Sequence, residues 1–181
     1  MSVDESSFEI DGPRLFTPRR FADDRGWFAE TFRASWLPGE TFVQDNASLS
    51  VAKHTLRGLH YQSPPHAQGK LVRCTAGALL DVAVDARAGS PTYGQHVTAE
   101  LSVANGAQLW VPAGFLHGFL TLADDTQVAY KCTAYYSGAH DGAVAWDSVG
   151  VDWGVSAPAL SDRDAAAPAF ADWTSPFGDA S

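Results

Sequence analysis

The feature that most constrains this chain is its rhythm: short stretches of alternating apolar and polar residues, each cut off within a few residues by glycine or proline. Sixteen glycines and ten prolines supply the breaks. In Leu79–Asp85, Leu80, Val82 and Val84 share one face. In His96–Leu101, Val97, Ala99 and Leu101 do so, and in Gln127–Cys132 the set is Val128, Tyr130 and Cys132. A period of two places successive side chains on opposite faces of a strand. Gly69–Ala76, Gln108–Val111 and Gly118–Leu122 also read as strands. Strands separated by turn signals, with no long helical periodicity between them, predict an all-β antiparallel sandwich or barrel. Two short helices are expected at the periphery. One covers Ala29–Leu37, ended by Pro38-Gly39. The other opens at Ser161-Asp162-Arg163-Asp164, spaced as a capping box, and stops before Pro168.

At 181 residues, and roughly 150 per domain, one domain spanning residues 1–181 is expected, with a tail frayed from about residue 174. Twelve lysines and arginines against 21 aspartates and glutamates give a formal charge of −9. Such a balance argues against nucleic acid and anionic membranes as partners, since both demand a basic face. No apolar run is long enough to span a bilayer. The N-terminal MSVDESSFEI lacks the basic and apolar regions of a secretory signal. Two cysteines, Cys74 and Cys132, make no disulfide framework. A soluble, cytoplasmic protein is expected.

Chemistry-bearing residues concentrate in four stretches. His60, in Leu56-Arg-Gly-Leu-His60-Tyr-Gln62, is the best candidate for a base because a histidine accepts a proton near neutral pH. A buried histidine satisfied by a backbone carbonyl is the competing reading, and local sequence does not choose between them. A base needs an orienting carboxylate, and Asp81, Asp85 and Asp164 are available by type. For Asp164, three residues after Ser161, a capping role is the stronger local reading. Tyr130 can donate a proton, although a core aromatic on the Val128–Cys132 face is the simpler assignment. Arg57, Lys70 and Arg73 gather three cations within 17 residues of an acidic chain, which suits a phosphate or a developing oxyanion. Exposed strand charges are the plain alternative. Tyr135 and Tyr136 can stack on a flat ring or pack at an edge. Metal binding is disfavoured: no second histidine follows His60 at i+2, and no ligand spacing stands out. On residues alone, this is a β domain with a polar pocket suited to proton transfer on an anionic small molecule, or to binding one.

These stretches, in order, resemble the dTDP-4-dehydrorhamnose 3,5-epimerase family. The resemblance runs from about Phe21 to Pro168. It is carried by Asp23–Gly26, Val43-Gln44-Asp45-Asn46, Arg57-Gly58-Leu59-His60-Tyr61-Gln62 and Gly69-Lys70-Leu71-Val72-Arg73-Cys74. Asp81–Asp85, Ser90-Pro-Thr-Tyr-Gly94, Pro112–Phe119, Tyr130-Lys131 and Leu160–Pro168 complete it. The resemblance implies a cupin-type jelly roll, without cofactor or metal, that exchanges strands in a homodimer. It implies a dTDP-4-keto-6-deoxy sugar as substrate, epimerised at C3 and C5. His60 would be the base, Asp164 its partner, Tyr130 the acid on the opposite face and Lys70 the cation at the enolate oxygen. Arg25, Glu30, Gln44, Asn46, Arg57 and His117 would hold sugar and diphosphate, and Tyr136 would stack on the thymine. Three departures from the family pattern stand out. Arg163 replaces a frequent lysine and Asp141 a frequent glutamate, both at positions implied to bind substrate. Ala52-Lys53-His54-Thr55 lacks the usual lysine-glycine pair. A mono-epimerase acting at one carbon, a metal-dependent cupin enzyme and a silent sugar-binding module are the alternatives.

Overall fold

A computed structural model describes residues 3–178. Two antiparallel sheets face each other. The first has the order β1 (Val3–Ser7), β2 (Arg14–Pro18), β10 (Gln108–Val111), β7 (Lys70–Ala76), β12 (Thr126–Cys132) and β5 (Gln44–Ser50). The second runs β13 (Asp141–Ala143), β6 (Leu56–Gln62), β11 (Phe115–Thr121), β8 (Ala78–Asp85) and β9 (His96–Ser102). A separate hairpin joins β3 (Phe21–Asp23) to β4 (Gly26–Phe28). Neighbours in both sheets are seldom consecutive in the chain, the crossing pattern of a jelly roll.

The alternation read from sequence sorts the core into layers. Val72 and Cys74 of β7, Val128 of β12 and Leu109 of β10 point between the sheets, where Leu79 and Ala83 of β8 and Phe115 and Phe119 of β11 meet them. Burial of such side chains, at about 25 cal/mol per Å² of apolar surface, is the main force holding the sheets together. The opposite face of the second sheet is also covered. Val82, Val84, Leu116 and Leu120 pack beneath Val144, Trp153 and Phe177. Both faces of β8 are therefore buried, and its polar-looking face, Asp81 and Asp85, is the interior one.

Asp85 uses that interior position structurally. It is fully buried. Its Oδ1 accepts from the Arg87 backbone N (3.0 Å) and Nε (2.9 Å). Its Oδ2 accepts from Arg87 Nη2 (2.8 Å), Ser90 Oγ (2.6 Å) and Thr92 Oγ1 (2.6 Å), which pins the Ser90–Gly94 turn. Burial alone would raise this carboxyl, but the bonds from Arg87, Ser90 and Thr92 outweigh it and hold the pKa at about 2. A carboxyl depressed in the fold stabilises it above the unfolded value of 3.8 and loses that contribution as pH falls toward 2. Asp85→Asn is expected to cost about 3 kcal/mol at pH 7, because the Arg87 charge loses its partner. Urea unfolding of both proteins checks this, and the gap should narrow below pH 4 as the wild-type carboxyl protonates.

Three expectations need correction. No α-helix covers 29–37; only a 3₁₀ turn at Ala34–Trp36 forms. Nine residues give fewer than three turns, too few to sustain a helix alone. Packing instead dictates the path, as Trp36 and Leu37 press onto the outer face of the first sheet with Phe16 and Trp110. The tail is not frayed from residue 174. Phe177 is buried, and the Ala88 N–H donates to its carbonyl at 2.9 Å; residues 179–181 lie outside the described residues. Strand β11 begins at Phe115 rather than Gly118. The helix after Ser161 does form, as α1 (Asp162–Ala165), with Ser161 Oγ accepting from the Asp164 N–H at 3.1 Å. Among the described residues no helix is long and apolar enough to cross a membrane.

Candidate active site

One end of the interior is polar. The alternation that buries Val128 carries Tyr130 and Cys132 onto the same inward face of β12. Directly opposite lie Asn46 and Gln44 of β5, in register with Tyr130 and Cys132, and Lys70 of β7, in register with Cys132. From the second sheet, His60 of β6 lies beside His117 of β11. A cavity of about 220 Å³ collects Gln44, Asn46, His60, Gln62, Lys70, Tyr130, Tyr136, Asp141 and Arg163. Behind it, a hollow of about 290 Å³ is bounded by Arg57, Ser161 and Asp164, and it shares His60 and Arg163 with the first.

His60 is tied to Asp164, whose Oδ1 lies 2.6 Å from Nε2. A carboxylate only accepts, so Nε2 carries the proton in the neutral ring and Nδ1 keeps the lone pair of a base. Asp164 is 4% exposed. Burial alone would raise its carboxyl, but His60, Ser161 and the Gly58 N–H together hold it below the ordinary range. The local capping reading of Asp164 is thus half right. Its N–H is capped by Ser161, while its carboxylate reaches across to β6.

Gly58 lets β6 lie close against β11. Its φ is +138°, and a Cβ there would meet the Gly118 Cα at 2.5 Å and the His117 carbonyl at 3.0 Å. Only glycine accepts such a conformation and such a contact. Strand β6 is thereby pressed onto β11, two residues before His60.

Lys70 and Tyr130 face each other, with Nζ 6.0 Å from the ring centroid. Burial pushes the Lys70 ammonium down, against the opposing pull of Cys132, Asp141 and Asp81. Burial pushes the Tyr130 phenol up, and Cys132 adds to this, while Asn46 and Arg57 act the other way. A raised phenol stays protonated at neutral pH, which is the form an acid needs.

The other implied binding residues divide. Tyr136 is 64% exposed at the mouth, and its hydroxyl donates to Asp141 Oδ2 at 3.2 Å. Asp141 Oδ2 also pairs with Arg163 Nη1 at 2.7 Å, so the two departures from the family pattern face each other. Arg57 borders the rear hollow, its guanidinium held by Ser50 Oγ and the Leu49 carbonyl. His117 is not on the cavity wall; it is buried, with Nε2 at 2.7 Å from Asp81 Oδ1. Arg25 and Glu30 are not brought to the pocket. Arg25 is bound to Asp23 at 2.7 Å on the β3–β4 hairpin with its side chain 90% exposed, and Glu30 is bound to Arg33 at 2.7 Å.

Three features had weak sequence signals. Asp81 is the buried partner of His117 rather than of His60. Gln62 holds the mouth loop, donating to the Tyr135 carbonyl (3.1 Å) and accepting from the Ser137 N–H (2.8 Å). Cys132 sits at the floor, fully buried, with burial pushing its thiol up. Both cysteines are free, and among the described residues no three His, Cys, Asp or Glu side chains converge to hold a metal ion.

This is a cupin-like jelly roll whose polar end holds an oriented histidine, a half-buried lysine and a tyrosine whose phenol is pushed up by burial. Comparison with known proteins gives the class its place. The family model described as dTDP-4-dehydrorhamnose 3,5-epimerase matches residues 7–172. The enzyme of that name from Sinorhizobium fredii is 53% identical over 171 residues, covering 91% of this chain and 88% of that protein. A dTDP-6-deoxy-D-glucose-3,5-epimerase from Legionella pneumophila, solved with dTDP-4-keto-L-rhamnose, is 41% identical with a TM-score of 0.88. That likeness covers 93% of each chain. ChmJ, a 3'-monoepimerase from Streptomyces bikiniensis solved with dTDP-quinovose, is 34% identical with a TM-score of 0.85, covering 91% of this chain and 86% of that one. The chain belongs to the dTDP-4-dehydrorhamnose 3,5-epimerase family.

Proposed function

We propose that this chain epimerises dTDP-4-dehydro-6-deoxy-D-glucose at C3 and C5, giving dTDP-4-dehydro-L-rhamnose. The observation that carries the reading is the gathering of His60, Lys70 and Tyr130 around one cavity. A proton beside a ketone is acidic because the carbonyl takes the resulting charge as an enolate, so the chemistry requires no redox cofactor. It requires a base on one face, an acid on the other and a cation at the oxygen. His60 Nδ1 takes the proton, and Asp164 stabilises the imidazolium that forms. The Lys70 ammonium, half-buried on the cavity wall, meets the enolate oxygen, and Tyr130 delivers a proton from the opposite side. Lys70 is favoured for this role because a cation partly shielded from water acts more strongly on developing charge than a fully hydrated one.

Gln44, Asn46, Arg57 and Arg163 lie where sugar and diphosphate would be held. Tyr136, with Asp141 behind its hydroxyl, offers its ring to the base. His117, held by Asp81 and in register with His60, would brace β11 beneath the site. Arg25 and Glu30 lie outside this pocket, so the working unit we propose is a homodimer. The hairpin exposes Phe21, Trp27 and Phe28, and strand exchange through this region would carry Arg25 and Glu30 to a second copy's site.

A mono-epimerase is the second reading, favoured by the likeness to ChmJ. One assay separates them. The enzyme is incubated in D₂O with dTDP-4-dehydro-6-deoxy-D-glucose, and deuterium at each carbon is followed by NMR. Deuterium at C3 and C5 with L-rhamno product supports the double epimerase. Deuterium at one carbon supports the mono-epimerase. Absence of exchange at either overturns both.

A further inference from the structure

Resting on the reading of Tyr130 as the acid, we propose that Gln44 and Asn46 form a one-way amide relay. It runs from the backbone of the Tyr136 loop to the Tyr130 phenol and keeps the phenolic proton free for the substrate. The polarity of the relay is dictated at its outer end. The Tyr136 backbone N–H donates to Gln44 Oε1 at 2.9 Å. A backbone N–H can only donate, so the Gln44 oxygen is committed and its NH₂ must face the other way. That NH₂ donates to Asn46 Oδ1 at 3.0 Å. The Asn46 oxygen is then committed too, and its NH₂ turns toward β12, where it donates to Cys132 Sγ at 3.6 Å. Turning either amide over would set donor against donor or acceptor against acceptor in a low-dielectric site.

The inner end matters for Tyr130. Asn46 and Tyr130 are directly opposed across β5 and β12, the closest side-chain relation two strands offer. The end of Asn46 turned toward β12 is therefore its NH₂ and not its carbonyl. No carbonyl of Asn46 competes for the phenolic proton, and a donor waits for the phenolate once that proton has gone. Cys132 suits the floor because a buried thiol accepts only weakly, so the Asn46 NH₂ is not consumed there. The relay also begins at the loop that carries the exposed Tyr136 ring. Seating a nucleobase on that ring holds the N–H from which the polarity starts.

Gln44 and Asn46 are thus positioning residues that act through Tyr130. The decisive variant is Gln44→Glu in the full chain. It keeps the side-chain shape and the acceptor for the Tyr136 N–H, but it loses the donor to Asn46 Oδ1. The Asn46 amide then turns, donates to the introduced carboxylate and presents its oxygen to the phenol. Two rates are read in D₂O: deuterium entry into recovered substrate, which reports proton removal by His60, and formation of inverted product, which reports delivery by Tyr130. We expect product formation to fall about 10- to 100-fold, a part of what a positioned acid supplies. Exchange, which His60 begins, should fall by a smaller factor, so that the exchange-to-product ratio rises about 10-fold. Asn46→Asp, which also sets an acceptor against the phenol, should raise the exchange-to-product ratio in the same direction and serves if Gln44→Glu does not fold. If both rates fall together with a raised KM, these residues merely hold substrate and the relay is wrong. Tyr130→Phe, run alongside, separates the two ideas. If it leaves the ratio unchanged, the assignment of Tyr130 fails and the relay fails with it. If it raises the ratio while the Gln44 and Asn46 variants do not, the relay alone fails.

Discussion

His60→Ala is expected to lower turnover by about 10²–10⁴-fold, the range a positioned general base supplies, and to suppress deuterium entry at every carbon the wild type exchanges. Asp164 occupies Nε2 at 2.6 Å, so the lone pair resides on Nδ1, and among the described residues no other histidine lines the cavity. Asp164 is buried, so an imidazolium formed at His60 meets a charge little screened by water. Alanine removes base and orientation together. Steady-state turnover and NMR exchange on the same preparation check this. Wild-type exchange in His60→Ala would assign proton removal to another group.

Tyr130→Phe has the second largest expected effect, and a different signature. Phenylalanine keeps the ring and its packing against the core between the sheets, but removes the only hydroxyl that β12 presents to the cavity. Formation of inverted product should fall about 10²–10³-fold. Proton removal by His60 proceeds, so deuterium accumulates in unreacted substrate, returned from the same face. The ratio of exchange to product is the measured quantity, and it should rise by an order of magnitude or more. A fall in both rates by one factor would mean that the phenol binds substrate and delivers no proton.

The framework is legible where one side of a strand is apolar. Val97, Ala99 and Leu101 of β9, and Val128 with Cys132 of β12, alternate because one face meets the core. Strand β5 has no such signature, because its inward face, Gln44, Asn46, Ser48 and Ser50, carries no apolar side chain. Over Ala29–Leu37 helical spacing misleads, because contacts from Phe16 and Trp110, distant in sequence, decide the path there. Among site residues, His60, Lys70 and Tyr130 stand out by type, yet their approach depends on β6, β7 and β12 lying in two different sheets. The pairing of Asp164 with His60 is legible only through resemblance, since 104 residues separate them and the local capping box points elsewhere. Asp81 and Asp85 look alike on β8, but one holds His117 and the other a turn. What distinguishes them is the neighbouring strand and loop, which alternation does not encode.

The chemistry proposed for this site needs a sugar ring held between an imidazole and a phenol. A crystal structure of the enzyme with a bound dTDP-sugar measures this. The hexose is expected in the cavity between the sheets, with His60 Nδ1 within hydrogen-bond reach of one face, the Tyr130 hydroxyl against the other and Lys70 Nζ at the C4 oxygen. A sugar bound with both side chains on one face, or seated outside that cavity, would contradict it.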